Sequence, residues 1–183
     1  MRRCTCGRRP VRTRYPTIDS PVGSLLLARD AGGLCGLQFV RGRRPAEPQQ
    51  DWTRADAEFG DVIGQLREYF AGTRRDFDVR LAPQGTPFQR RVWAELCRIP
   101  YGETISYAEL ARRVGNPRAV RAVGLANGAN PLAIVVPCHR VIGADGTLTG
   151  YGGGLPTKRH LLDLERGATG AGASADLFVA AGL

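Results

Sequence analysis

The tetrapeptide Ala82-Pro83-Gln84-Gly85 divides the chain into two stretches whose apolar residues recur with different periods, and that division limits the fold class. Before it, apolar runs at 15–18, 25–27 and 34–40 are separated by the turn-forming Ser20-Pro21-Val22-Gly23 and Asp30-Ala31-Gly32-Gly33. That pattern predicts a three-stranded antiparallel meander. From 55 to 70 the spacing becomes helical, with Phe59, Val62, Ile63, Leu66, Tyr69 and Phe70 on one face and Gly72 as the stop. Phe77, Val79 and Leu81 alternate with charged residues and read as one further strand. Beyond the tetrapeptide helical spacing prevails. Strands first and helices second make an α+β chain. We expect an N-terminal α+β domain at 13–82 and a mainly helical domain at 86–167. A flexible basic arm at 1–12 and a flexible Gly/Ala-rich tail at 168–183 flank them.

In the second half, Thr86 caps a helix with Pro87 at its first position and Phe88, Val92, Leu96 and Ile99 as its buried stripe. Ser106 and Glu109, three apart, form a capping box for a short helix that Gly115 stops. Asn116-Pro117 opens the next helix, which runs to about Asn127. Two short helices around a glycine turn form a helix-turn-helix pattern. The second helix carries Arg118 and Arg121 on an otherwise small surface that includes Ala119, Ala122 and Gly124. Such a surface admits a nucleic-acid backbone closely; a plain αα-hairpin has the same pattern. Thr157 caps a last helix in which Leu161, Leu162 and Leu164 pack, with Glu165 near its end.

Between these helices, the β-branched run at 132–136 predicts a short buried strand, and Pro137 ends its pairing so that the chain turns at Cys138. A lone cysteine is more often packing than chemistry. His139 and Arg140 are the kind of neighbours that populate a thiolate. The charge points outward: 26 Lys+Arg against 17 Asp+Glu give +9, and every one of these cations except Lys158 is arginine. A polyanionic partner, nucleic acid above all, accounts for this balance, as does the codon bias of a GC-rich genome. Five cysteines with two histidines make neither a disulfide framework nor a metal site, and Cys4-x-Cys6 lacks a second pair. No apolar run approaches the roughly 20 residues of a membrane span. The expectation is a cytoplasmic protein with reduced thiols, no metal, no cofactor and no membrane partner.

Tyr107 in Ile-Ser-Tyr, Arg121-Ala-Val-Gly, Asn130-Pro, Pro137-Cys-His-Arg-Val and Gly150-Tyr-Gly-Gly-Gly-Leu stand in one order and spacing. Together they resemble the 6-O-alkylguanine-DNA alkyltransferases, densely from 86 to 167 and more loosely from 15 to 81. The resemblance implies a ribonuclease H-like N-terminal domain and repair of DNA by direct reversal of damage. An alkylated guanine is flipped from the duplex, and its alkyl group moves irreversibly to a cysteine, once per molecule. It implies Cys138 as acceptor, His139 as base acting through a water, Glu165 as the orienter of His139, Tyr107 as proton donor to the leaving guanine, and Asn130 as brace. It implies that Arg121 fills the space the base leaves, with Arg118, Ala119, Ala122, Gly124 and Tyr107 against DNA. The carbonyls of Cys138 and Val141 would read the base, and Tyr151, Gly152 and Gly153 would close over it. Gly152 departs from the serine of many relatives, and the N-terminal histidine ligands of zinc-binding relatives are missing. The partner is then double-stranded DNA carrying 6-O-alkylguanine, with 4-O-alkylthymine a second candidate lesion. The protein is expected to be a monomer, and cooperativity along DNA stays open. Two other readings compete: a lesion-binding protein of the same fold without transfer, which Cys138 argues against, and a helix-turn-helix regulator with a packing cysteine.

Overall fold

In the computed structural model, which describes residues 12–167, the first half is a small sheet backed by one helix. The arm expected at 1–12, all but its last residue, together with Cys4-x-Cys6 and the tail at 168–183, lies outside the described residues. β1 (Arg14–Tyr15) and β2 (Thr17–Ile18) are one strand broken at Pro16, which has no N–H to donate, and both pair antiparallel with β3 (Leu25–Asp30). β4 (Gly33–Phe39) pairs antiparallel along the other edge of β3, and β5 (Thr53–Arg54) runs parallel to β1. A 3-10 turn (Asp56–Phe59) leads into α1 (Gly60–Phe70). Its Val62, Leu66 and Tyr69 are fully buried with Leu25, Leu27, Leu34 and Leu37 of the sheet. The meander and the helix thus stand where the apolar spacing puts them.

Residues 77–81 do not form the expected strand. Gln65 takes both main-chain groups of Asp78, donating to its carbonyl at 2.9 Å and accepting from its N–H at 2.7 Å. What remains is one bridge between Leu34 and Leu81, while Phe77, Val79 and Leu81 still pack on the core.

The second half opens with α2 (Pro87–Leu96), whose capping box is complete: Thr86 Oγ1 accepts from Gln89 N–H and Gln89 Oε1 accepts from Thr86 N–H. β6 (Ile105–Ser106) leads to α3 (Tyr107–Arg113). Here half of the expected box forms. Ser106 Oγ accepts from Glu109 N–H, but the Glu109 carboxylate turns to Arg112 and Arg113 at 2.8 Å. α4 (Val120–Gly128) begins later than expected because Asn116 and Pro117 first make a turn closed by Ala119 N–H on Asn116 O. β7 (Val141–Ile142) pairs parallel with β6, and α5 (Leu155–Glu165) closes the fold. Thr157 lies inside α5, not at its cap. Its hydroxyl donates to Gly153 O, and Gly154 holds the cap position with φ +89°.

The largest correction falls on 132–136, which is a tight turn and not a strand. Leu132 makes a single parallel bridge to Leu37, so the second half hooks onto the edge of β4. Val136 N–H then donates back to Leu132 O, and Ile134 is forced to φ +71°, a conformation that costs a β-branched residue about 1–3 kcal/mol. Asn130 holds it there: its Nδ2 donates to Val136 O at 2.8 Å and its Oδ1 accepts from Leu132 N–H at 3.0 Å. A side chain that captures main-chain groups displaces the ladder those groups would have joined. The run is apolar because it is buried: Leu132, Ile134 and Val136 are almost wholly inaccessible. One core cluster includes residues of both halves.

Candidate active site

The turn at 132–136 delivers Pro137, and a single turn of 3-10 helix (Cys138–Arg140) follows it. Cys138, His139 and Arg140 are all buried, and α5 lies against them with Glu165. Glu165 is the hub. Its Oε1 accepts from Tyr69 OH at 2.8 Å, His139 Nε2 at 2.8 Å and Arg140 Nη2 at 2.9 Å; its Oε2 accepts from Arg140 Nε at 2.8 Å and Gly102 N–H at 3.1 Å. Burial by itself would raise this carboxyl, but the hydrogen bonds and charges of His139 and Arg140 overcome it and hold the pKa down to about 2.

An ionised Glu165 only accepts, so His139 Nε2 must carry the proton, and Nδ1 is left with its lone pair. Burial dominates the imidazole and lowers its pKa below 6.5 in spite of Glu165. Burial also raises the Cys138 thiol above its ordinary value, opposed by a hydrogen bond from Asn130 and the charge of Lys158. The resting pair is therefore a thiol and a neutral imidazole. Acidification has a sign that follows from these shifts. As pH falls through 6.5 the unfolded chain binds a proton at His139 that the native chain refuses, and below 4.5 the same holds at Glu165 down to about pH 2. Urea midpoints are expected to decline from pH 6.5 downward and more steeply below 4.5. Midpoints flat between pH 7 and 4 would contradict these assignments.

Cys138 opens on a cavity of about 150 Å³ with Asn127, Asn130, Tyr151 and Gly152 among its walls. A wider one of about 340 Å³ adjoins it through Arg44, Gly128, Gly150, Tyr151 and Gly152, and Tyr107 stands on its wall, its hydroxyl accepting from Thr149 Oγ1 at 3.2 Å. Among the described residues, the buried side-chain polar atoms without a protein partner are Asn127 Oδ1, His139 Nδ1 and Tyr151 OH. Asn127 and Tyr151 line the Cys138 cavity, and the His139 ring centroid is 6.4 Å from that of Tyr151. Unpaired buried polar atoms cost about 1–3 kcal/mol each, so the side chains that carry them are not explained by packing alone.

Val141 and Gly153, expected at the base, are not among the residues that line either cavity. Val141 is fully buried, and its carbonyl accepts from Lys158 Nζ at 2.6 Å, which uses one of its two lone pairs. Gly153 lies against the Phe39 ring, which a Cβ there would meet at 2.9 Å. Arg118, Arg121 and Ala122 are exposed on or just before α4, Ala119 and Gly124 partly so. The exposed face is not wholly small, since Leu125 is 75% exposed one turn beyond Arg121. The sequence reading missed Tyr69, Asn127, the Arg140 grip on Glu165, and Lys158. Lys158 is fully buried, donates also to Thr149 O at 3.0 Å, and has its pKa lowered by burial to about 8. Its being the sole lysine among 26 cations was a signal.

The 6-O-methylguanine DNA methyltransferase family models match the chain in two parts, the ribonuclease-like domain at 13–83 and the DNA binding domain at 87–167. The chain belongs to this family. A methylated-DNA–protein-cysteine methyltransferase of Methanosarcina acetivorans is 52% identical over 151 residues, 82% of this chain and 97% of the relative. One from Mycolicibacterium paratuberculosis is 55% identical over 153 residues, covering 83% and 92%. The crystal structure of Mycobacterium tuberculosis O6-methylguanine methyltransferase superposes with TM-score 0.79 at 52% identity, covering 87% of this chain and 96% of that one. A structure of the M. tuberculosis protein in complex with DNA gives 0.79 at 53%, covering 84% and 92%. The α+β class and the methyltransferase class read from the motifs therefore stand, and among the described residues no helix is long and apolar enough to cross a membrane.

Proposed function

We propose that this chain removes the alkyl group from the 6-oxygen of guanine in duplex DNA and keeps it on Cys138, one transfer per molecule. The observation that carries the proposal is the Cys138-His139-Glu165 cluster beside a cavity that Asn127 and Tyr151 line. A thiol only 7% exposed cannot reach a base that is still stacked, so the nucleotide must leave the duplex first. His139 Nδ1 accepts the thiol proton through a water, while Nε2 stays bonded to Glu165. The sulfur then attacks the alkyl carbon, the carbon–oxygen bond breaks, and its electron pair passes to the guanine, to which Tyr107 supplies a proton. The product is an uncharged thioether with no leaving group, which is why the molecule acts once. Asn130 braces the turn that presents the thiol. Tyr151 and Gly152 wall the base, and Val141 acts through Lys158 by fixing the loop that ends at Thr149.

The two stretches at 13–82 and 86–167 act as a supporting domain and a DNA-binding, alkyl-accepting domain. The first reaches the chemistry through Tyr69. Arg121 enters the stack from the exposed face of α4, and Arg118, Ala119, Ala122 and Gly124 approach the backbone. With Arg121→Ala, single-turnover repair of duplex DNA is expected to fall about tenfold or more, the equivalent of ~1.4 kcal/mol, and reaction with free benzylguanine far less. Equal losses on both substrates would remove the stack-filling role.

A further inference from the structure

We infer that Arg43 and Arg44, in the loop after β4, form a phosphate-binding subsite for the nucleotide whose base enters the Cys138 cavity. The inference rests on the alkyl-transfer reading above. Both arginines are exposed, and both line the wider cavity together with Tyr107; Arg44 also lines the cavity that holds Cys138. None of the described residues lining either cavity is a carboxylate, so these guanidinium groups set the sign of the field at the mouth.

The loop is held there by main-chain contacts. Arg43 N–H donates to Gly152 O at 3.0 Å, and Gly42 at φ +136° packs so closely that a Cβ would come within 2.6 Å of that same oxygen. Arg44 Nη1 donates to Gly128 O at 2.7 Å, at the C-terminal end of α4, where the carbonyl dipoles favour a cation. Its other donors stay available. Arg29, Arg54, Arg74, Arg112, Arg113 and Arg140 are each paired with a carboxylate, but among the described residues neither Arg43 nor Arg44 is. A pair of planar, unneutralised guanidinium groups beside a cavity for a nucleobase suits the phosphodiester next to that base. The N-terminal half would thereby hold the flipped nucleotide directly and not only buttress Glu165.

The test measures binding of a duplex carrying 6-O-methylguanine, with each flanking phosphate in turn replaced by an uncharged methylphosphonate. Because Arg43 is tied to Gly152 through its main chain, Arg43→Gln removes the charge and keeps the loop anchored. It is expected to weaken lesion binding about tenfold and to lower the salt slope by about 0.9, the change for one phosphate contact. One methylphosphonate position should weaken the unaltered protein by a similar factor and the variant hardly at all, and Arg43→Lys should restore part of the loss. If Arg43→Gln binds with unchanged affinity and slope, or if the methylphosphonate losses are the same in both proteins, the subsite is wrong. Label transfer by the unaltered protein reports on the alkyl-transfer reading separately, so the two can fail independently.

Discussion

Replacing Glu165 with Gln is expected to cost about 3–5 kcal/mol of stability and to slow alkyl transfer by at least about a hundredfold. The variant keeps the shape of the side chain and removes one charge. Arg140 then remains buried with no carboxylate opposite it, its other contacts being the Ile99 carbonyl and the Tyr101 ring. An uncompensated buried guanidinium is among the most expensive defects a core can hold. Against a typical total of about 5–15 kcal/mol, the loss should appear as a large drop in the urea midpoint with little change in slope. The rate effect has a separate origin. The ionised carboxylate fixes the proton on His139 Nε2 and so frees Nδ1, whereas an amide can donate to that nitrogen and permit the other tautomer. Single-turnover rates measured on the folded fraction separate the two effects. A stable variant that still transfers at the parental rate would show that Glu165 neither neutralises Arg140 nor orients His139.

How much of this was legible in the sequence depends on how far each interaction reaches. The Thr86 cap, the helical face of α1 and the Cys138-His139 neighbourhood are local, and spacing alone located them. The partners of Glu165 are not. Tyr69 is 96 residues away and Arg140 is 25, and nothing in their own surroundings distinguishes Tyr69 from another core aromatic. Arg44 and Gly128, 84 residues apart, meet only because the loop after β4 folds over the glycine loop at 152. The motif resemblance supplied Glu165, Tyr107 and Arg121 because it carries three-dimensional information that periodicity lacks. The run at 132–136 differs from the expected strand for a physical reason. β-branched apolar residues report burial, which a buried strand and a buried turn share. Asn130, two residues upstream, offered the main chain a different set of partners and made a turn that lifts Cys138 to the cavity. The contact of Lys158 with the Val141 carbonyl is equally non-local, since the lysine lies 17 residues on.

The acceptor itself is the claim on which the rest depends. Among the described residues there are two competing thiols, Cys97, which is exposed, and Cys35, which is half-buried; burial raises the pKa of both. Cys97 is the more accessible, so a non-specific alkylation would favour it over Cys138. Duplex DNA with a radiolabelled methyl group on the guanine 6-oxygen, incubated with the protein and followed by peptide mapping, distinguishes the two. The account predicts that label rises to about one equivalent, stops there, maps to Cys138 and disappears in Cys138→Ala. Label on Cys97 or Cys35, or transfer that persists in Cys138→Ala, would contradict it.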